Sequence, residues 1–328
     1  MTSLTPLATC LSTALDGLSA VLPEMVEPGA ALGFIVAEDI CLPHAMPPRS
    51  EALRAGIAVS AMDLVGASPG APVPLSDPVQ VFPGDPLPPG ADAVLPTDGL
   101  EQRGSMSEAI RPVSPGEGAR RASHDGRAGD RLVAAGMRFS AQHVLAAALA
   151  GITEIPQRRP RVALALEHPA DRAFAAAWLG ALGAELTEDR SDLTLRRSTD
   201  HTPRLALIPA ETAWLSRPDG ALVLDTPARF DGLVTACLAL ALPALAQLSA
   251  ARMRPRTLPL ARKISSTVGL SELVFLQEDG GAWHPQPAGL VTLTGLASAQ
   301  AFAILPPESE GCAAGTPLAA TPLDQPFG

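Results

Sequence analysis

Residues 161–186 have the sequence RVALALEHPADRAFAAAWLGALGAEL, and this stretch decides the fold class. Its first six residues, 161–166, form an apolar run that predicts a fully buried strand. Residues 171–182 then predict a helix, which Gly183 ends, and residues 185–186 begin the next strand. Strand, helix and strand in this order are typical of an α/β layer with a largely parallel sheet.

The chain that follows continues this α/β pattern. Residues 205–208 and 221–224 are apolar runs that predict two further buried strands. Residues 233–248 are almost entirely apolar but are interrupted by Pro243 and fall short of the roughly 20 residues that a membrane span needs. We therefore expect a buried helix here and no membrane association.

The flanking regions predict β structure on both sides of this layer. From residue 43 to about residue 115, prolines punctuate strand-sized pieces such as 79–82 and 93–95, which excludes long helices and predicts a small β domain. After Pro255, regularly spaced glycines predict a second compact β domain of short strands and turns.

Two helices are predicted outside the α/β layer. Residues 5–21 have leucines at near-helical spacing, which predicts an amphipathic helix. Residues 141–150 form an alanine-rich helix with Ser140 as its N-cap and Gly151 at its end. This helix and the helix at 233–248 are too apolar for a small domain to cover easily, which predicts a homodimer.

Composition excludes several classes of protein. Asp and Glu number 34 against 24 Lys and Arg, the net charge is −10, and aromatic residues are 3% of the chain with no Tyr, which argues against nucleic-acid binding. No secretory signal is evident at residues 1–6, which predicts a cytoplasmic protein. The histidines have no metal-ligand spacing and the cysteines no CxxC pair, which predicts no metal site and free buried thiols at Cys10, Cys41, Cys237 and Cys312.

Four segments, in order along the chain, resemble sequence motifs that occur together in one group of proteins. Residues 30–39 (AALGFIVAED), 84–94 (GDPLPPGADAV) and 115–130 (PGEGARRASHDGRAGD) are similar to EALGRVLAED, TGAPLPxGADAV and PGENVRRxGEDIxxGD. Residues 258–266 (LPLARKISS) resemble the beginning of the C-terminal domain in the same group of proteins. These patterns belong to the MoeA/gephyrin family, the molybdopterin molybdenumtransferases, and the chain resembles a divergent member.

The resemblance implies a multidomain α/β plus β fold of the elongated MoeA type. Residues 1–45 and 129–158 would form a linker and dimerisation domain, and residues 46–128 an inserted β domain. Residues 159–252 would form a shortened α/β domain of the molybdopterin-binding kind, and residues 253–328 a C-terminal β-barrel-like domain.

The activity implied by the family consumes adenylated molybdopterin and molybdate, inserts the metal at the dithiolene and releases AMP, with a divalent cation such as Mg²⁺. The family sequence PPFDNSAMDGYAV aligns without gaps on residues 47–59, PPRSEALRAGIAV, and both aspartates are replaced, by Ser50 and Ala55. The second is a family active-site acid, and Ala cannot accept a proton or bind a cation. Pro83 likewise replaces a family threonine.

The loops of the α/β layer also depart from the family. The family loop STGDEL becomes residues 166–171, LEHPAD, and LPGNP becomes residues 226–230, TPARF. The glycines that would let the backbone approach a phosphate are missing from both. Residues 186–224 contain no counterpart of the family's glycine-rich GGVSxGD loop.

The charged residues that survive are the candidate site. Asp125 is the candidate catalytic group, near a cation if the family activity is retained. Paired arginines can hold a phosphate or carboxylate by forked hydrogen bonds. The candidate ligand-binding residues are Glu117, Arg120, Arg121, Asp130, Arg262, Lys263, Ser265 and Ser266. The alternative is that all of these form loop salt bridges and turn hydrogen bonds that fix domain packing.

Three functions follow from the resemblance. One is a non-catalytic pseudoenzyme that binds molybdopterin or the finished molybdenum cofactor, as carrier or insertion chaperone. A second is an active molybdenumtransferase, and a third is a dimeric structural or regulatory scaffold. The partners implied are a second copy of the chain and a molybdoenzyme or another protein of molybdenum-cofactor biosynthesis.

Overall fold

A computed structural model describes residues 4–328, and the chain divides into two units. The main unit comprises the residues up to Asp39, Val133–Ala148 and Thr153–Gly328. The inserted unit comprises Ile40–Leu132 and Leu149–Ile152. The mixed α/β and β architecture predicted from the sequence is confirmed, whereas the division into four domains is finer than these two units and stays a prediction.

The predicted α/β layer is a five-stranded sheet in the main unit. Four strands are parallel and the fifth, at one edge, is antiparallel. Their spatial order is Glu185–Leu186, Arg161–Ala165, Leu193–Arg197, Leu222–Thr226 and Trp214–Ser216. The helix after Arg161–Ala165 covers Pro169–Ala181 and begins two residues earlier than predicted, because a proline fits the first turn of a helix without loss of a hydrogen bond.

The predicted strand at 205–208 exists but belongs to another sheet. Leu205–Ile208 pairs with Thr5–Pro6 on one side and Ser271–Asp279 on the other, both parallel. Leu205 and Leu207 are fully buried there. An apolar run requires burial on both faces but does not specify which sheet provides it, so the pattern predicts the strand and not its neighbours.

The C-terminal region is β structure, as predicted. It contributes most of a seven-stranded sheet, in the order Thr5–Pro6, Leu205–Ile208, Ser271–Asp279, Ala301–Leu305, Pro317–Pro322 and Arg256–Pro259, with Ala282–Pro285 also paired to Ser271–Asp279. The hairpin between the last-named pair turns at Gly280-Gly281, whose φ values of 57° and 77° favour glycine. Ile264–Ser265 pairs with Gly311–Cys312, and Leu293–Ser298 is a short helix.

The apolar helix predicted at 233–248 covers Phe230–Ser249. It consists of an α-helix over Phe230–Ala236, a π-helical segment over Cys237–Ala241 and an α-helix over Leu242–Ser249. Pro243 has no N–H and would clash with the preceding turn of a regular helix, and the π segment ends two residues before it, at Ala241. The helix is long and apolar enough to cross a membrane, but 83% of its most apolar 18-residue stretch is buried inside the protein, so its composition reflects a core position.

The remaining helices of the main unit are shorter. The N-terminal helix covers Leu7–Leu15 rather than residues 5–21, and it buries Leu7, Cys10 and Ala14. The second covers Ala141–Leu149 and follows Ser140, whose N–H donates to His143 Nδ1 over 3.1 Å. A three-stranded sheet of Glu24–Val26, Ile155–Arg158 and Ile35–Val36 completes the unit.

The inserted unit is built of short strands, as its prolines predict. It has two three-stranded sheets and two strand pairs, and the two sheets share a small core that includes Leu64 and Leu95. The first sheet has Val79–Val81, Gly56–Val59 and Ala93–Leu95, and the second Leu100–Arg103, Met106–Ala109 and Val73–Leu75. The pairs are Ala119–Arg120 with Glu51–Ala52 and Arg131–Val133 with Ile40–Cys41.

Candidate functional site

Arg120 and Asp125, both predicted site residues, form an ion pair in the inserted unit. Arg120 Nε lies 3.1 Å from Asp125 Oδ1. The antiparallel pairing places Arg120 opposite Glu51, and Arg120 Nη1 is 3.4 Å from Glu51 Oε1. The Arg120 guanidinium therefore lies between two carboxylates that belong to the same fold unit.

Glu117 is the most strongly held of the predicted residues. Its Oε1 accepts hydrogen bonds from Arg54 Nη2 at 2.9 Å and Arg111 Nη2 at 3.1 Å, and its Oε2 accepts one from the Ser114 N–H at 3.0 Å. The Ser114 hydrogen bond and then the Arg54 side chain lower the pKa of Glu117 below its ordinary value. Because Arg54 also donates to the Val94 carbonyl at 2.9 Å, the ionised Glu117 ties several loops together.

Asp130 accepts a short hydrogen bond within the protein, whereas Arg121 makes only a long one. Asp130 Oδ2 accepts a hydrogen bond of 2.7 Å from the Arg127 N–H, which closes a turn. Arg121 is exposed, and its Nη2 lies 3.4 Å from the Pro115 carbonyl. These contacts match the salt bridges and turn hydrogen bonds of the structural alternative, and the ligand-binding role of the segment stays a prediction.

The C-terminal candidates lie in the main unit. Arg262 Nε donates to the Pro285 carbonyl at 3.0 Å. Ser266 Oγ donates to Glu272 Oε2 at 2.7 Å, and Glu272 is buried. Lys263 and Ser265 are exposed to solvent. Sequence reasoning missed Glu272, whose only signal is an acidic residue directly before the four apolar residues 273–276.

The position of the family's missing acid is exposed. Ala55 lies in the turn between the strands Glu51–Ala52 and Gly56–Val59, beside Arg54. Ser50, at the position of the other missing aspartate, accepts a hydrogen bond of 3.2 Å from the Ala122 N–H through its Oγ. Neither side chain carries a charge with which to hold a metal ion.

Charged residues that the prediction did not include meet at the carboxyl edge of the five-stranded sheet. Arg197 Nη2 pairs with Asp171 Oδ2, and Arg197 Nη1 donates to the Pro227 carbonyl. His168 Nδ1 is 3.7 Å from Asp171 Oδ1. Asp171 is buried, so its charge requires this partner.

A second pair and a thiol lie at the same edge. Arg229 Nε and Nη2 both donate to the Asp231 carboxylate, and Asp231 is buried. Burial raises the pKa of the Cys237 thiol to about 12, and the charge of Asp171 adds to the rise. Cys237 is therefore a protonated core residue at neutral pH and not a nucleophile.

Within residues 4–328, no group of three or more His, Cys, Asp or Glu side chains is arranged to hold a metal ion. Asp125 forms an ion pair with Arg120, and the Asp130 carboxylate accepts the hydrogen bond from the Arg127 N–H that closes a turn. These two surviving family acids do not fit a Mg²⁺ site as they stand.

Part of the sequence is similar to those of known proteins. Residues 6–151 match the family described as MoeA N-terminal region (domain I and II). The chain is 26% identical over 141 residues to a molybdopterin molybdenumtransferase of Synechococcus elongatus, covering 37% of this chain and 35% of that protein. It is 31% identical over 135 residues to a putative molybdopterin biosynthesis protein of Methanocaldococcus jannaschii, covering 38% and 34%. The match thus spans about a third of the length of these curated relatives.

Solved structures extend the similarity of fold to the whole chain. Two structures of the molybdopterin biosynthesis MoeA protein of Pyrococcus horikoshii match with TM-scores of 0.74 and 0.75, at 19% and 20% identity, over 97% and 98% of this chain and 99% of theirs. A molybdenum cofactor biosynthesis protein of Pyrococcus furiosus matches with a TM-score of 0.61 at 16% identity, over 97% and 98% of the two chains.

The chain therefore has the multidomain fold of the solved MoeA proteins, and its N-terminal part is also similar to that group in sequence. Residues 6–151 belong by sequence to the MoeA N-terminal region, as the three sequence segments within them predict.

Proposed function

We propose that this MoeA-family protein is a cytoplasmic carrier or insertion chaperone that binds molybdopterin or the finished cofactor without catalysing metal insertion. The observation that carries this proposal is the replacement of the family's active-site acid by Ala55, whose methyl group lies exposed in a turn. A methyl group neither orders a nucleophilic water nor neutralises a divalent cation.

The electrostatics of the surviving acids support the same proposal. Glu117 and Asp125 are each engaged by arginine, so both carboxylates already have a counter-charge. A cation bound at Asp125 would have to displace the Arg120 guanidinium and leave it facing the metal charge. This rearrangement opposes the electrostatic stabilisation that phosphate-transfer chemistry requires.

Ligand binding would use cations that remain accessible. Arg121 in the inserted unit and Lys263 in the main unit are both exposed. A guanidinium group binds phosphate through two parallel hydrogen bonds and an ammonium group binds it as a point charge, so either suits the terminal phosphate of molybdopterin. Each unit therefore offers a cation for a carrier role that needs no acid or base.

Purified protein should be tested with three measurements on one preparation. The first is pterin and metal content as isolated, the second is anaerobic titration with molybdopterin, and the third is AMP release from adenylated molybdopterin with molybdate and Mg²⁺. The carrier proposal predicts saturable binding with no AMP release above a sample without protein. Molybdate-dependent AMP release would instead identify an active molybdenumtransferase.

The scaffold function is the second candidate, and the contacts of Arg120 and Glu117 favour it. These side chains join loops within the inserted unit, as residues retained for architecture would. An absence of bound pterin and of measurable molybdopterin binding would select this function over the carrier. A partner molybdoenzyme is part of the carrier proposal, and co-purification with one would support it.

A further inference from the structure

The five-stranded sheet contains a point at which the direction of its chain connections reverses. From Arg161–Ala165 the chain continues through the helix Pro169–Ala181 to Glu185–Leu186, which lies on one side. From Leu193–Arg197 the later strands of the sheet, Trp214–Ser216 and Leu222–Thr226, lie on the other side. Such a reversal opens a crevice outside the carboxyl ends of the two central strands, where α/β sheets bind ligands.

An ion pair bridges this crevice. Asp171 belongs to the helix that follows one central strand, and Arg197 is the last residue of the other. The Asp171 side chain is 10% exposed and the Arg197 side chain 27%, and Arg197 Nη2 donates to Asp171 Oδ2. Arg197 also donates to the Pro227 carbonyl, beyond the end of a third strand, so one guanidinium connects the loops after three parallel strands.

We propose that Asp171 is an internal substitute for a ligand phosphate, and that its bond to Arg197 closes the crevice to phosphorylated ligands. The fork of a guanidinium binds carboxylates and phosphates by the same geometry, so the two compete for Arg197. A phosphate that took Arg197 would leave the nine-tenths buried Asp171 without its arginine, with only His168 Nδ1 at 3.7 Å, and beside a second negative charge, which is unfavourable. The residues that follow the first strand, 166–171, also lack the glycine that would bring backbone N–H groups to a phosphate.

This closure does not depend on the proposed carrier function, because it concerns phosphate as a chemical group and not molybdopterin. For a carrier it has one consequence, that the phosphate of the pterin is held away from this edge of the sheet. Asp171 thus determines which ligands the α/β layer excludes.

The test measures the melting temperature of the full chain in inorganic phosphate, against sodium chloride of the same ionic strength. Wild-type protein should show no difference between the two salts. Asp171→Ala frees Arg197 and opens the crevice, so phosphate should raise its melting temperature by roughly 3 °C at a tenfold excess over the dissociation constant. The double variant Asp171→Ala with Arg197→Gln should lose this response.

The matched control removes a carboxylate from a neighbouring arginine of the same strand. Arg196 Nε pairs with Asp225 Oδ1 at 2.7 Å, one residue before Arg197, and the Arg196 side chain is 54% exposed. Consecutive strand residues point to opposite faces of the sheet, so Asp225→Ala frees an exposed guanidinium on the other face and should give no phosphate response.

Two results would overturn the proposal. One is stabilisation of the wild-type protein by phosphate that disappears in Arg197→Gln, because the crevice would then already be open. The other is a phosphate response of Asp171→Ala no larger than that of Asp225→Ala. Should Asp171→Ala fail to fold, Asp171→Asn keeps the shape and one acceptor while removing the charge, and the same comparison with Asp225→Asn decides the question.

Discussion

Two neighbouring arginines of the inserted unit differ in whether they are held by other residues or are accessible to a ligand. Arg120 and Arg121 are adjacent, yet Arg120 lies between Glu51 and Asp125 whereas Arg121 is exposed. The two positions thus have different physical roles although the sequence presents them as a matched pair. Substituted one at a time, they distinguish a ligand-binding cluster from a structural one.

We expect Arg120→Ala to lower the free energy of unfolding by about 1 kcal/mol, because it breaks two partly exposed ion pairs. Arg121→Ala should leave stability unchanged and weaken molybdopterin binding at least tenfold, because a charge-assisted bond to an anion contributes roughly 1.5–3 kcal/mol. Urea unfolding and molybdopterin titration of each variant measure both effects. Unchanged binding in Arg121→Ala would show that this guanidinium is not part of the ligand site.

Ala55 gives a second residue-level prediction. We expect Ala55→Asp to remain unable to release AMP from adenylated molybdopterin in the presence of molybdate. Catalytic groups that act as a unit fail together, and the loops at 166–171 and 226–230 would still lack their glycines. Chromatographic assay of AMP measures this, with Leu53→Asp as a control that adds the same charge to an exposed position nearby. AMP release by Ala55→Asp and not by Leu53→Asp would contradict the prediction.

Among the secondary-structure elements, the helix Phe230–Ser249 contributes most to the core of the main unit. Leu240 is fully buried in its π-helical segment. We expect Leu240→Ala to lower the free energy of unfolding by about 2–5 kcal/mol, as the removal of a buried leucine side chain usually does. Leu22→Ala is the matched control, since Leu22 is 86% exposed and the same change there should cost less than about 0.5 kcal/mol. Equal losses for the two variants would show that this helix is not packed as described.

The secondary-structure elements also show which features of the fold a sequence pattern can predict. Strands such as Arg161–Ala165 and Ala93–Leu95 were predictable because a short apolar run between turn residues has few alternatives. The sheet to which Leu205–Ile208 belongs was not predictable, because the burial of an apolar run does not specify which strands pair with it. The pair of Asp171 with Arg197 was equally hidden, since its partners are 26 residues apart and meet only through the strand order.

For the whole molecule, the predicted homodimer now depends on one helix. The helix Phe230–Ser249 is covered within its own unit, so it needs no second copy to bury it. The helix Ala141–Leu149 is different, because only Ala147 of it is buried and Leu145 is 62% exposed. Of the two helices from which the homodimer was predicted, Ala141–Leu149 is therefore the one that a second copy could cover.

We expect the wild-type protein to be a dimer at micromolar concentration and Leu145→Lys to be a monomer, because a buried lysine without a partner opposes association. Light scattering at several concentrations measures this. Leu290→Lys is the control, since Leu290 is 52% exposed in the C-terminal region and its change should leave the dimer intact. A monomeric wild-type protein would reject the homodimer, and a dimeric Leu145→Lys would exclude this helix from the interface.

The two ends of the segment 40–132 lie side by side. Ile40–Cys41 pairs with Arg131–Val133, and the Leu42 N–H and carbonyl bond to Asp130 and Gly129. Neighbouring strands are about 5 Å apart, so a short linker could replace everything between these ends without rerouting the remaining chain. The segment could therefore be exchanged as a unit, and a substitution within it such as Ala55→Asp need not alter the path of the remaining chain.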